Sequence, residues 1–133
     1  MQTPYAIKKH KNTLLKIKTA DYTILPDTED MWATFSNSGA SGTGTGGGIV
    51  TFQLPSAKVG MGFRFLVQTA CRLQILPASG ETLADDETGA QGTASYGIWA
   101  NAVGEQIEYE CKVEGDWDVN YAIGTWTNAA DIS

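Results

Sequence analysis

The sequence predicts an all-β fold: an antiparallel β-sandwich or a jelly-roll-like barrel of about eight strands, with an extended N-terminal arm. Three observations carry that expectation. From Ile49 to Trp126 short runs alternate apolar and polar residues, the period-2 spacing that turns one face of a strand into a core. Clusters of Gly, Pro, Asn and Asp part these runs at intervals of about 8 to 12 residues. No stretch repeats its apolar residues at helical spacing.

The first strand expected after the arm is Tyr22 to Leu25, stopped by Pro26 and followed by the turn-forming Asp27-Thr28-Glu29-Asp30. Met31 to Asn37 is the second. Trp32, Thr34 and Ser36 share one of its faces and Met31, Ala33 and Phe35 the other, so periodicity leaves its buried side open. Gly39 to Gly48 has too few side chains to pack and reads as a flexible loop. A phosphate-cradling role for these glycines fails on context, because no Gly-Lys-Ser/Thr and no helix follows them.

The next strands have a clear inside and outside. Val50, Phe52 and Leu54 alternate with Thr51 and Gln53 until Pro55. Phe63, Phe65 and Val67 oppose Arg64, Leu66 and Gln68, and Leu73 and Ile75 oppose Arg72 and Gln74 before the Pro77–Gly80 turn. Glu81 to Gly92 is a polar loop. Its Asp85, Asp86 and Glu87 carry oxygens suited to calcium, but the spacing is not that of an EF-hand, and a solvated turn is the expected reading. Tyr96 to Asn101 brings Ile98 and Trp99. The strongest alternation follows, with Ile107, Tyr109, Cys111 and Val113 on the core face and Gln106, Glu108, Glu110 and Lys112 on the wet one. Glu114-Gly115-Asp116 turns the chain into Trp117, Val119, Tyr121 and Ile123, read as one face of the partner strand in an antiparallel hairpin.

The chain of 133 residues fits one domain (21–127) with a basic arm (1–20) and a short tail (128–133). No apolar run reaches the roughly 18 residues of a membrane span, and no signal peptide is evident, so synthesis in a cytoplasm is expected. Cys71 and Cys111 are expected as free, buried, small hydrophobes, with a disulfide as the alternative.

Little catalytic chemistry is available. The only histidine, His10, lies in the arm, away from any nucleophile, and two cysteines with one distant histidine do not make a zinc site. Glu108 and Glu110 have the look of a glycosidase pair, but outward acids on an amphipathic strand are ordinarily a solubilising face. No catalytic residue, metal or cofactor is therefore expected.

Charge is uneven. Residues 1 to 20 hold five lysines and no acid, while the remainder holds four basic and fifteen acidic residues, for a total of −6. An acidic body does not suit nucleic acid, whose footprint needs a positive face on the folded part. Ile7, Leu14, Leu15 and Ile17 interleave with Lys8, Lys9, Lys11, Lys16 and Lys18, which sets contact with an acidic protein surface or a neighbouring subunit beside the alternative of a solvated, partly disordered terminus. Trp32, Trp99 and Trp126 offer a different reading, as sugar-stacking anchors, against the alternative that the tryptophans belong to the core and the sheet ends.

The order Tyr22-Thr23-Ile24-Leu25, Val50-Thr51-Phe52-Gln53-Leu54-Pro55, Gly60 through Phe63-Arg64-Phe65-Leu66-Val67, Leu73 through Thr82, Trp117-Asp118-Val119 and Gly124-Thr125-Trp126 resembles small β-sandwich proteins among the structural proteins of tailed bacteriophages. The resemblance spans roughly residues 21 to 127 and rests on turn and strand patterns. It implies a virion protein without an enzyme activity: a capsid decoration (cement) protein, often trimeric, that binds the major capsid protein on the outer shell and stabilises it. The alternative within the resemblance is a tail-fibre or receptor-binding module recognising host glycans. Neither a nucleic acid nor a membrane is an expected partner.

Overall fold

The computed structural model describes residues 12–26, 29–40 and 48–129. Among them are eleven strands and no helix: β1 (Leu15–Ile17), β2 (Tyr22–Thr23), β3 (Thr34–Ser36), β4 (Val50–Gln53), β5 (Gly62–Leu66), β6 (Leu73–Leu76), β7 (Thr82–Leu83), β8 (Gly97–Ala100), β9 (Gln106–Val113), β10 (Asp116–Ile123) and β11 (Thr127–Ala129). They form a six-stranded sheet in the order β1-β3-β5-β9-β10-β7 and a five-stranded sheet in the order β11-β8-β6-β4-β2. The expected all-β sandwich is present, with more strands than the eight read from the pattern.

The strand directions correct the expectation of an antiparallel fold. For its first six strands the chain changes sheet at every step, so each strand re-enters its own layer pointing the same way as the last. The pairs β1/β3, β3/β5, β2/β4 and β4/β6 are accordingly parallel, as is β7/β10. Among the named strands, antiparallel pairing is confined to β5/β9, β6/β8, β9/β10 and β8/β11. β1 falls within residues 1–20, and β11 spans residues 127–129.

The alternating residues of β4, β5 and β6 meet between the layers as predicted. Phe35, Phe52 and Phe65 form a triangle of rings with centroids 5.4 to 5.8 Å apart, and Phe63 packs on Trp117 at 5.6 Å. Phe35 thus settles the open question at β3, whose Thr34 and Ser36 face away from the core. Offset and tilted rings at this spacing add to their area burial.

The β9–β10 hairpin departs from the simple alternation. Its register shifts once between Asp116 and Asp118 and again between Val119 and Tyr121, the second shift inserting Asn120 as an extra residue opposite β9. A bulge of this kind turns the following side chains to the other face. Val119 and Ala122 therefore pack on the core, whereas Tyr121 and Ile123, expected inside with Trp117, are exposed; Val113 is exposed as well.

Both cysteines are buried and free, so the disulfide alternative does not hold. Burial, reinforced by surrounding carboxylates, pushes the Cys111 thiol up to about 11. A protonated buried thiol is a poor nucleophile. The folded chain is expected to resist alkylation by iodoacetamide at neutral pH and to take up two labels once denatured; rapid labelling of the native protein would contradict this packing.

Candidate interaction face

The outer face of the six-stranded sheet is assembled from five strands in register. One row runs Leu15, Thr34, Arg64, Glu108, Tyr121, and the next runs Ile17, Ser36, Leu66, Gln106, Ile123. At the usual inter-strand spacing each row is roughly 19 Å long. Four of its apolar residues are open to solvent: Leu15 is 48% exposed, Ile17 52%, Tyr121 41% and Ile123 52%, with half-buried Leu66 between them.

The charged centre of this face is satisfied within the chain. Arg64 donates from Nε to Glu108 Oε1 at 2.7 Å and from Nη1 to the Trp32 carbonyl at 2.5 Å. The bulged Asn120 donates its amide to Glu108 Oε2 at 2.6 Å and to Glu110 Oε1 at 2.9 Å. Glu108 is thereby buried rather than part of a wet solubilising stripe, and its two oxygens are held by Arg64 and Asn120. Burial, and after it the Glu108 carboxylate, raises the pKa of the Tyr121 phenol above its ordinary value, so the ring presents a neutral hydroxyl at physiological pH. A surface with paired charges at its centre and apolar side chains along both rows is suited to covering by another protein.

The residues read from the arm divide into three groups. Ile7, Lys8, Lys9 and Lys11 lie outside the described residues, as does His10. Leu14, Leu15 and Ile17 are exposed. Lys16 and Lys18 turn to the chain itself: Lys16 Nζ bonds the carboxylates of Asp30 and Glu29, and Lys18 Nζ stands 3.9 Å above the Tyr22 ring. Residues 12 to 18 are thus tied to the body rather than free, with 15 to 17 in the sheet and backbone bonds at Leu14 and Lys18 flanking them. The Asn12 amide fastens their start by donating to the carbonyls of Glu29 and Met31.

The three tryptophans named as glycan anchors are not brought together as a platform. Trp32 and Trp126 are buried, their indole N–H groups donating to the carbonyls of Gly60 and Gln106, and they offer no ring face to a sugar. Trp99 is half-buried on the outside of the five-stranded sheet, with the Arg72 guanidinium 4.0 Å from its ring centroid.

In the acidic loop Asp85 Oδ1 accepts the Glu87 N–H within the turn, and Asp86 Oδ2 accepts the Trp126 N–H, which ties the loop to a distant part of the chain. Among the described residues no group of three or more His, Cys, Asp or Glu converges to hold a metal ion, and no helix is long and apolar enough to cross a membrane. Tyr121, Ile123 and Leu66 are the face residues that the period-2 pattern did not single out. For Tyr121 and Ile123 that pattern pointed inward, and nothing in their neighbourhood signals the bulge. Compared with models of protein families and with curated proteins, the chain matches none.

Proposed function

We propose that this chain is a bacteriophage virion structural protein, a capsid decoration protein that binds the outer shell through the exposed face of its six-stranded sheet. One observation carries the reading: the bulge at Asn120 turns Tyr121 out into the row of Leu15 and Ile123 into the row of Ile17 and Leu66. Apolar side chains left in water forgo the roughly 25 cal/mol gained per Å² of burial, which a neighbouring protein surface restores. The resemblance of residues 21 to 127 to phage β-sandwich proteins supplies the kind of neighbour.

The size of the face bears on mechanism. From strand spacing and residue rise its two rows cover roughly 300 Å², well under the ~800 Å² per partner of a stable interface. One such contact is weak. Several copies joined as a trimer and seated on neighbouring capsid subunits bind by avidity, and thereby tie those subunits together.

The test uses purified particles of the phage that encodes the chain. Hundreds of copies per particle are expected on a shell, whereas a few copies mean a tail position and none ends the proposal. A Tyr121→Asp/Ile123→Asp double variant, altered only at exposed positions, should keep its unfolding midpoint and lose at least about tenfold in affinity for emptied shells. Unchanged binding would remove this face from the interaction. The glycan-binding alternative rests on Trp99, and a selective signal on a glycan array that vanishes in Trp99→Ala would favour it.

A further inference from the structure

Lys16 and Asp30 meet in a setting that supplies more than an ion pair requires. Lys16 Nζ contacts Asp30 Oδ1 and lies 2.9 Å from Glu29 Oε1. The Asp30 residue is only 1% exposed. Its other oxygen, Oδ2, accepts the Tyr22 hydroxyl at 2.6 Å and the Leu25 N–H at 3.1 Å. An amine is thus held against a carboxyl group, two donors sit on the oxygen that carries charge when that carboxyl is attacked, and a second carboxylate touches the amine. Paired donors at a developing oxyanion and a relay base are the requirements of acyl transfer. Holding amine and acid in contact supplies the proximity that makes amide formation feasible without an activated acyl group.

We propose that Lys16 and Asp30 condense to an intramolecular isopeptide bond that staples β1 to the turn preceding β3. The ammonium passes one proton to Oδ1, leaving a neutral amine beside a neutral acid. Nζ attacks Cγ, the N–C bond forms, and the negative charge gathers on Oδ2 between Tyr22 and Leu25. Glu29 takes a proton from the nitrogen and delivers it to Oδ1, which departs as water while Oδ2 returns to a carbonyl. An ammonium and a carboxylate become an amide and one water, nothing is oxidised or reduced, and no outside reactant is consumed.

Burial, the largest single influence on both groups, disfavours the ionised form of each, while their hydrogen bonds hold the pair charged. The net balance raises the pKa of Lys16 and lowers that of Asp30, so the resting pair is ionised and condensation has to begin with an internal proton transfer. The product suits its place in the fold. β1 is an edge strand of three residues, paired only to β3, and a short edge frays readily unless it is tied down. The inference is independent of the capsid reading, since it concerns the chain alone.

The experiment is mass spectrometry of the purified full-length chain, denatured and then digested. The wild type is expected to be lighter than its sequence by one water and to yield a branched peptide joining the segment with Lys16 to the segment with Asp30. Lys16→Arg should restore the full mass, and Glu29→Gln should slow accumulation of the dehydrated form. Full sequence mass in the folded wild type overturns the proposal. So does a missing water that persists in Lys16→Arg, which would mark a cyclic imide at an aspartate. Should Lys16→Arg fold poorly, presence or absence of the branched peptide in the wild type decides the matter.

Discussion

Gly62→Ala is expected to cost about 4 kcal/mol or more of stability, measured by chemical denaturation, although it adds only one methyl group. A Cβ at residue 62 would stand 2.0 to 2.3 Å from three atoms of the Trp32 ring. The ring has nowhere to go. Trp32 is wholly buried, its indole N–H is bonded to the Gly60 carbonyl at 3.0 Å, and its backbone N–H is bonded to the Gly62 carbonyl at 2.8 Å. Its backbone is held at a φ of 62°, a left-handed conformation that a bulky residue keeps only when its surroundings impose it. Trp32→Ala should itself cost about 3–5 kcal/mol, and Gly62→Ala made in that background should then cost little. That non-additivity separates a clash with this ring from a general intolerance of alanine in β5. A Gly62→Ala protein within about 1 kcal/mol of wild type would show that the ring can yield.

Relative to chains whose Lys16–Asp30 pair has not condensed, Asp30→Ala is expected to have the next largest effect, about 3–5 kcal/mol, because it removes one partner of a buried charged pair and leaves the rest in place. Lys16 would keep only Glu29, and the Tyr22 hydroxyl and Leu25 N–H would lose the oxygen they share. Asp30→Asn, which retains an acceptor for those two donors, should fall between alanine and wild type. Because Lys16 belongs to β1, limited proteolysis should cut ahead of residue 19 sooner in Asp30→Ala than in wild type. A loss of less than about 1 kcal/mol would mean that the cluster is worth no more than a surface ion pair.

Where side chains alternate against a common core, the strands were legible. Val50/Phe52, Phe63/Phe65 and Leu73/Ile75 each lie on the buried side that their spacing indicates. The three strands that escaped notice, β1, β7 and β11, are all at sheet edges and only two or three residues long, too short for a period-2 pattern to show. Strand direction escaped for a different reason. Alternation tells which side of a strand is buried but not which strand lies beside it, and a turn that leads to the other layer looks in sequence like one that closes a hairpin.

The candidate face was legible in part. Leu15 and Ile17 stood out because apolar residues among lysines need an explanation, and both are exposed. Lys16 did not stand apart from Lys18, since its buried partner Asp30 looked like one more residue of an acidic turn. Tyr121 and Ile123 were misread because one inserted residue, Asn120, reverses the parity of everything that follows it in β10.

The weaving of the chain between two layers governs how it can be made. β5 finds its antiparallel partner in β9, and β6 finds its own in β8, so a nascent polypeptide emerging from the ribosome as far as β6 still has an unzipped border on each layer. Of the ladders among the described residues, β9/β10 alone closes across a tight turn, and it lies downstream of the eight strands that precede it. Assembly is thus deferred until β8 and β9 have emerged, and a product that stops before β8 leaves the borders at β5 and β6 open and ready to stick to any strand they meet.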